Sequence, residues 1–165
     1  MKKEKIIFTW LSISAFMVVV MVFVGGWTRL ADAGLSITEW KPLSGVFPPI
    51  TDAAWEEEFL KYKDSPEFKK IHNYFTISEF KQIFWLEFIH RIFGRITGLI
   101  MLVPGLMFYM RGYFKGQASH YLSIMFLVAF QGFIGWWMVK SGLVDNPHVS
   151  HFRLAVHLIT ALILY

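Results

Sequence analysis

The sequence contains no cysteine among its 165 residues. Disulfide bonds, thiolate metal ligands and cysteine nucleophiles are therefore excluded for this chain, although the absence says little about its compartment. Charged residues are also scarce, at 17% of the chain, and they are concentrated between apolar runs. The net charge of +4 comes from scattered basic residues that form no basic face, which argues against nucleic-acid binding. No internal repeat or low-complexity tract is evident.

What the chain has in abundance is apolar surface, with 55% hydrophobic residues and a mean hydropathy of +0.46. Runs of about 20 apolar residues can cross ~30 Å of hydrocarbon as helices. The pattern predicts an all-α polytopic membrane protein, a four-helix bundle with spans at 6–27, 83–110, 121–139 and 152–165. The fourth run stops before it is long enough to cross. We therefore expect residues 1–165 to be the N-terminal transmembrane half-domain of a longer protein.

Basic residues predict the orientation of the spans. A lysine cluster precedes the first span, and Arg111 and Lys115 occupy the short connection between the second and third spans, so both belong in the cytoplasm. The connection 28–82 carries more acidic than basic residues and is predicted to lie outside. No Arg- and Ser-rich transit peptide precedes the first span, which favours a bacterial inner membrane. The alternative of a cleaved secretory signal is disfavoured because the apolar run is too long and Arg29 interrupts the approach to its cleavage site.

The second span carries ionisable residues inside its apolar run. Glu87 and His90 lie there, and His157 lies in the fourth span. A charged side chain near the middle of a membrane helix costs on the order of 2.5–3.5 kcal/mol, so such groups usually face a bundle interior and mark a functional site. The alternative for each residue alone is a satisfied structural polar group. The two histidines taken together favour a functional site.

The two histidines are predicted to lie at similar depth, because spans two and four both enter from the outer face. His90 is about two turns into its span and His157 about one to two turns into the other. Neutral imidazoles on facing helices of a bundle are usual axial ligands of membrane b-type haem, so we expect a haem pocket near the outer surface. Gly94 and Gly98 lie about 40° and 80° around the helix from His90, where a bare face would admit a flat macrocycle. The alternative is that these glycines only permit close helix packing.

Charged residues beside the histidines extend the predicted pocket. Glu87 lies about 60° around the helix from His90 and is expected to reach the same cavity. Arg91, Arg95 and Arg153 are expected to pair with haem propionates or, as the alternative, with lipid phosphates at the interface. The remaining histidines are weaker candidates, with His151 at the membrane edge and three predicted to be solvated in loops: His72, His120 and His148.

The connection 28–82 is predicted to be folded. Residues 51–63 and 65–67 have the sequences of short capped helices, and residues 76–79 (TISE) form a capping box leading into the second span. Three tryptophans suggest that this segment lies on the bilayer surface as a lid: Trp27, Trp40 and Trp55.

Several stretches of the chain resemble haem A synthase. They are 25–37 (GGWTRLADAGLSI), 40–42 (WKP), 45–49 (GVFPP), 87–91 (EFIHR) followed by Gly94 and Arg95, 131–143 (QGFIGWWMVKSGL) and 153–158 (RLAVHL). The likeness covers nearly the whole chain in order. Because the connection 28–82 has no cysteine pair, the chain is similar to the cysteine-free branch found in proteobacteria and mitochondria.

The resemblance implies an eight-helix protein made of two similar four-helix halves, each with a histidine pair. Such enzymes oxidise the methyl group at position 8 of haem O to a formyl group through hydroxylated intermediates, during assembly of cytochrome oxidase. It implies that His90 and His157 hold the substrate haem and that Glu87 supports turnover. Arg29, which lies in the stretch 25–37, is a further candidate for haem packing or propionate binding. Haem b is expected mainly in the C-terminal half, with haem O synthase, cytochrome oxidase assembly proteins and membrane lipid as partners.

Two other classes of function remain open from the residues alone. A histidine pair in a bundle equally fits a non-catalytic bis-histidine haem b cytochrome that relays electrons. A transporter or assembly factor, whose intramembrane charges line a path, predicts no bound haem at all. Product analysis and haem absorption separate these three classes.

Overall fold

The computed structural model describes residues 2–41, 44–144 and 146–165. Within these residues the secondary structure is helical throughout, which confirms the all-α prediction. The elements are α1 (Lys2–Leu30), a 3₁₀ turn (Ser44–Val46), α2 (Asp52–Lys63), α3 (Pro66–Lys70), α4 (Ile77–Met110), α5 (Ala118–Lys140) and α6 (His151–Leu164).

Four of these helices form the bundle. α1 packs against α4, α4 against α5, α5 against α6, and α6 returns to α1, so the helices close a ring around a shared interior. α1, α4 and α5 are long and apolar enough to cross a membrane, and α6 is a shorter apolar helix. The protein is therefore a multi-pass membrane protein. Each helix overlaps one predicted span, whereas the orientation in the membrane stays a prediction.

The seam between α1 and α4 is fixed by a hydrogen bond that proline makes necessary. Pro104 lies inside α4 and has no N–H to donate to the carbonyl of Ile100, four residues earlier. The indole Nε1 of Trp10 on α1 donates to that oxygen at 3.0 Å. An unpaired backbone carbonyl in hydrocarbon costs several kcal/mol, so the contact favours the pairing of α1 with α4.

The segment joining α1 to α4, residues 31–76, is called here the long connection. Its helices begin at side-chain caps, because Thr51 accepts from the N–H of Ala54 at 3.2 Å and Ser65 from that of Phe68 at 3.2 Å. The predicted capping box of residues 76–79 is present at the start of α4. α2 and the first turns of α4 enclose an aromatic core that includes Trp55, Phe59, Tyr62, Phe80 and Phe84.

Two details of the long connection differ from the predictions. Trp55 does not lie on the bilayer surface, because its ring is buried against Phe84 with centroids 5.0 Å apart. His72 is in a loop but is not solvated, since it is buried and its Nδ1 lies 2.7 Å from the hydroxyl of Tyr62. That hydroxyl also donates to Glu67 at 2.9 Å, so three buried polar groups satisfy one another.

The other predicted solvated histidines are exposed. His148 lies in the α5–α6 connection, as expected. His120 was predicted to be in a loop but lies in the first turn of α5, because that helix begins at Ala118. Sequence patterns place helix ends less reliably than helix interiors, and the polar first turn of α5 hid its start.

Candidate functional site

His90 projects from α4 against a glycine of α1. A Cβ atom added at Gly25 would lie 3.0 Å from Cε1 of the His90 ring and 3.6 Å from its Nδ1. Such an approach is tighter than side-chain packing normally permits. The absence of a side chain at Gly25 therefore makes the space that the imidazole occupies.

His157 has the same arrangement on the opposite side of the ring of helices. It projects from α6 against Gly135 of α5, where an added Cβ would lie 3.3 Å from Cε1 of the imidazole. The same turn of α6 is held by Gln131, whose Nε2 donates to the carbonyl of His157 at 2.8 Å. The hydroxyl of Thr160 donates to Oε1 of Gln131 at 2.6 Å, which fixes the amide in place. The position of His157 is thus set by two residues of α5.

Both imidazoles lack hydrogen-bond partners within the part of the chain that the structure describes. The Nδ1 atoms of His90 and His157 are buried and unpaired. A buried nitrogen without a partner carries a desolvation cost of about 1–3 kcal/mol, and proteins rarely keep such groups without a use for them. That the two imidazoles bind one ligand together stays a prediction.

The glycine face predicted beside His90 is partly open. A Cβ at Gly98 would meet no atom within 4 Å, so the helix surface there borders empty space. At Gly94 the nearest atom is Cε of Met21, at 3.6 Å from an added Cβ, which is ordinary van der Waals contact. The bare face therefore continues past one flexible methionine side chain.

Glu87 does not lie free in this space. The residue is 2% exposed, and Oε2 accepts from the hydroxyl of Ser36 at 2.7 Å and from the N–H of Ile37 at 2.9 Å. Oε1 accepts from Nε of Arg91 at 3.0 Å and from its Nη2 at 2.6 Å. The carboxylate thus joins α4 to the long connection.

Arg91 and Arg95 also reach the long connection. Nη2 of Arg91 donates to the carbonyl of Ile37 at 2.8 Å, and Nη1 donates to that of Glu39 at 3.2 Å. Nη2 of Arg95 donates to the carbonyl of Lys41 at 2.9 Å. Their roles towards propionates or lipid phosphates stay predictions, but most of the donors of Arg91 already bind groups of the protein.

The other two candidate arginines contact their own neighbourhoods. Nη1 of Arg153 donates to the carbonyl of Trp137 at 2.7 Å, and its guanidinium lies 4.4 Å from the centre of the same indole ring. Arg29 forms an exposed salt bridge with Asp32 at 3.0 Å. Arg153 therefore lies on the same helix as His157, whereas Arg29 lies in the last turn of α1.

Comparison with known proteins decides the family. Residues 8–165 match the family described as cytochrome oxidase assembly protein, COX15-CtaA. This chain belongs to the COX15-CtaA family. It is 51% identical over 164 residues to the haem A synthase of Rickettsia canadensis and 54% identical over 157 residues to that of Orientia tsutsugamushi strain Boryong. These alignments cover 99% and 94% of this chain and 48% and 44% of the relatives.

The chain thus spans about half the length of the curated relatives that it matches. A third relative, the haem A synthase of Rickettsia bellii, is 50% identical over 163 residues and is covered to 48%. No significant match to a solved structure was found. The earlier resemblance to the haem A synthase family is confirmed.

Sequence reasoning missed three residues that position the histidines of this COX15-CtaA chain. Gly25, Gly135 and Gln131 all lie in the stretches that carry the resemblance, but no pattern along the chain ties them to a particular imidazole. The one local signal was a glycine, or a polar amide, inside an otherwise bulky apolar helix. Only the packing of α1 on α4 and of α5 on α6 shows which ring each residue faces.

Proposed function

We propose that the full-length protein is a haem A synthase, which oxidises the methyl group at position 8 of haem O to a formyl group for cytochrome oxidase. This chain supplies the site for the substrate haem, and His90 and His157 are its axial ligands. The observation that carries the proposal is that the Nδ1 atoms of two imidazoles on different helices are buried and unpaired. The relatives named haem A synthase support the reaction assigned to it.

The residues present fit a haem. Axial ligation needs neutral imidazoles with a free nitrogen, and no described residue hydrogen-bonds to either ring. Gly25 and Gly135 face the Cε1 edges of the rings, between the two nitrogens, which limits the rotation that each ring can make. Haem bound between them would supply the iron and the porphyrin on which the oxidation occurs. The protein's contribution is to fix two donors, an apolar wall and a bare helix face at Gly98.

Cations at the long-connection end of the bundle support binding of the haem carboxylates. A cavity of about 270 Å³ lies there between residues 37–40 and the last turns of α5. Arg91 and Lys140 both line it, together with the indole of Trp136. Glu39 also lines this cavity and Arg91 is already paired with Glu87, so a propionate of a porphyrin bound below it would pair mainly with Lys140. Arg29, Arg95 and Arg153 are the further propionate candidates.

The cellular setting follows from the same proposal. The protein lies in a bacterial inner membrane with its N-terminus in the cytoplasm, and the long connection faces the periplasm. Haem O synthase supplies the substrate, and haem b occupies mainly the part of the protein beyond this chain. Glu87 is the carboxylate that supports turnover.

The second candidate function is a non-catalytic haem b cytochrome. The observation that favours it is the engagement of Glu87, whose two oxygens both accept hydrogen bonds from the protein. Incubation of the purified full-length protein with haem O separates the two functions. A synthase converts the pigment to its formyl form, whereas a cytochrome returns it unchanged.

The test of the site compares full-length wild type with His90→Ala and His157→Ala by optical spectra and haem extraction. We expect both substitutions to remove the haem bound by this half and to abolish haem A formation. His151→Ala is the matched control, because His151 is exposed on the same helix as His157. Wild-type haem content and conversion in both substituted proteins would overturn the assignment.

A further inference from the structure

Three side chains on one stripe of α4 hold the long connection. Glu87, Arg91 and Arg95 are spaced four residues apart, so they lie one above another on a single helix face. Glu87 binds residues 36 and 37, and Arg91 binds the carbonyls of residues 37 and 39. Arg95 binds the carbonyl of residue 41. Successive turns of α4 therefore hydrogen-bond to successive residues of one strip of chain.

This strip, residues 33–41, is called here the cover. Its first part is deeply buried, with Ala33 at 0%, Leu35 at 2% and Ser36 at 2% exposure. Leu35 reaches past α4 to the end of α5, where a Cβ added at Gly142 would lie 2.6 Å from Cδ1 of Leu35. The cover thus crosses from α4 to the α5–α6 connection, and its residues 37–40 share a cavity with Arg91, which follows His90, and with Trp136, which follows Gly135.

The carboxylate of Glu87 has no lone pair left for other chemistry. An ionised carboxylate offers about four acceptor positions. Those of Glu87 are taken by the Ser36 hydroxyl, the Ile37 N–H and two N–H groups of Arg91. Arg91 in turn balances the buried negative charge at 2.6 Å. Removal of one partner from such a buried pair leaves the other uncompensated, which makes the arrangement hard to open.

We propose that Glu87 is a positioning residue that, with Arg91 and Arg95, clamps the cover shut across the histidine site. Its contribution to turnover, which rests on the proposed function, is to keep the cover closed and water out while the porphyrin reacts. A group that takes up a proton from the substrate needs a free acceptor aimed at it, and Glu87 has none in the closed state. Ser36 belongs to the same device, because its hydroxyl secures the carboxylate from the side of the cover.

The test uses the full-length protein and measures hydrogen exchange of residues 33–41 together with haem O conversion. Ser36→Ala and Glu87→Gln are made singly and together, with Glu56→Gln as the control, because Glu56 is exposed on α2. We expect each clamp substitution to speed exchange of the cover by roughly tenfold or more, since each removes hydrogen bonds to a charged group. The control leaves exchange unchanged.

The activity measurements separate a clamp from a chemical role. If Glu87 is a clamp, Ser36→Ala also slows conversion several-fold, the two substitutions together are less than multiplicative, and the shape of the pH–rate profile is kept. The proposal is overturned if Glu87→Gln stops conversion while the cover exchanges as in wild type and Ser36→Ala stays fully active. Exchange is measured without turnover, so a protein that converts no haem O still reports on the clamp.

Discussion

The long connection and the membrane helices are built in opposite ways. The aromatic core of the long connection is dry and complete, with Tyr62 and Phe80 at 0% exposure. α6 has no buried residue, and α5 has two, Val128 and Ile134. We expect the connection to fold in water, where burial of apolar surface is the main driving force. The helices leave most of their apolar surface for lipid and neighbouring protein, and they are held by a small apolar cluster of Val18, Met101 and Val128, by glycine contacts and by isolated hydrogen bonds.

This difference predicts where a substitution destabilises the protein and where it changes only the site. Removal of a large side chain from the connection leaves a cavity in a close-packed core. Few residues of α5 and α6 are buried, so a substitution on these helices changes few packing contacts. Four experiments test this comparison, and they are ordered by the size of the effect expected.

The largest effect is expected from Phe80→Ala in the core of the connection. The ring contacts Trp55, Phe59, Tyr62 and Phe84, so its loss should lower the free energy of unfolding by about 3–5 kcal/mol. The control is Phe126→Ala on α5, whose ring is 65% exposed and whose loss should cost less than about 1 kcal/mol. Equal losses, measured by denaturant unfolding in detergent, would contradict the contrast between the two regions.

The second prediction concerns pH and the buried carboxyl of the connection. Burial, above all, raises the pKa of Glu67 from 4.5 to about 8, with the negative charges of Glu87 and Asp32 adding to it. The folded state therefore holds a proton that the unfolded state has lost, and stability falls as pH rises through that interval. Burial lowers the pKa of His72, which costs stability only below about 6.5.

Between pH 6.5 and 8 the free energy of unfolding thus responds to the carboxyl of Glu67 and not to His72. The free energy of unfolding of the wild type, measured by thermal unfolding, should fall by on the order of 1 kcal/mol per pH unit in this window. Glu67→Gln retains an acceptor for the Tyr62 hydroxyl but has no titrating proton, so its stability should stay level. A slope as steep in the variant as in the wild type would remove Glu67 as the cause.

The third prediction moves to the bundle, where Gly25→Ala should displace the imidazole of His90. Its Cβ would sit 3.0 Å from the ring, and such overpacking typically costs about 1–3 kcal/mol. We expect haem affinity to fall by roughly tenfold with little change in unfolding of the connection. Gly26→Ala is the control, because no atom lies within 4 Å of its added Cβ. Titration with haem would refute the idea if both variants bound it equally.

The smallest effect is expected at the α1–α4 seam. Trp10→Phe removes the donor to the carbonyl of Ile100, and hydrogen bonds between membrane helices are worth about 0.6–1.7 kcal/mol. Pro104→Ala restores an N–H that the same carbonyl can accept within α4. The loss caused by Trp10→Phe should therefore shrink when Pro104→Ala is present. A double-mutant cycle with no coupling between the two would argue against this account.

The sequence predicted those features that depend on neighbours along the chain. The helices follow from apolar runs of sufficient length, and the Thr76 to Glu79 capping box follows from a four-residue pattern. The pairing of His90 with His157 rests on the expected direction and depth of two spans, and it stays a prediction. Each of these inferences needs only the regular rise of a helix.

What the sequence did not predict depends on where an irregular segment folds. Arg91 and Arg95 were expected to meet propionates or lipid, but the carbonyls that they bind belong to a strip more than fifty residues away, as the separations of 52 to 54 show. His72 was expected in solvent because a polar residue in a loop usually is. Its burial beside Tyr62 requires α2 and α3 to be in place first. Side-chain partners that lie so far apart in the chain are set by tertiary packing, which a local sequence pattern does not show.

The indole of Trp10 beneath Pro104 has a consequence for how the bundle is aligned. The indole N–H of Trp10 reaches that carbonyl at a single vertical offset of α1 against α4. A slip of one turn, about 5.4 Å, would break that bond and would also bring a bulky side chain of α1 to the level of the His90 ring. The proline therefore fixes the axial offset between α1 and α4. That offset places Gly25 at the level of the His90 ring, although Pro104 lies towards the far end of the same two helices.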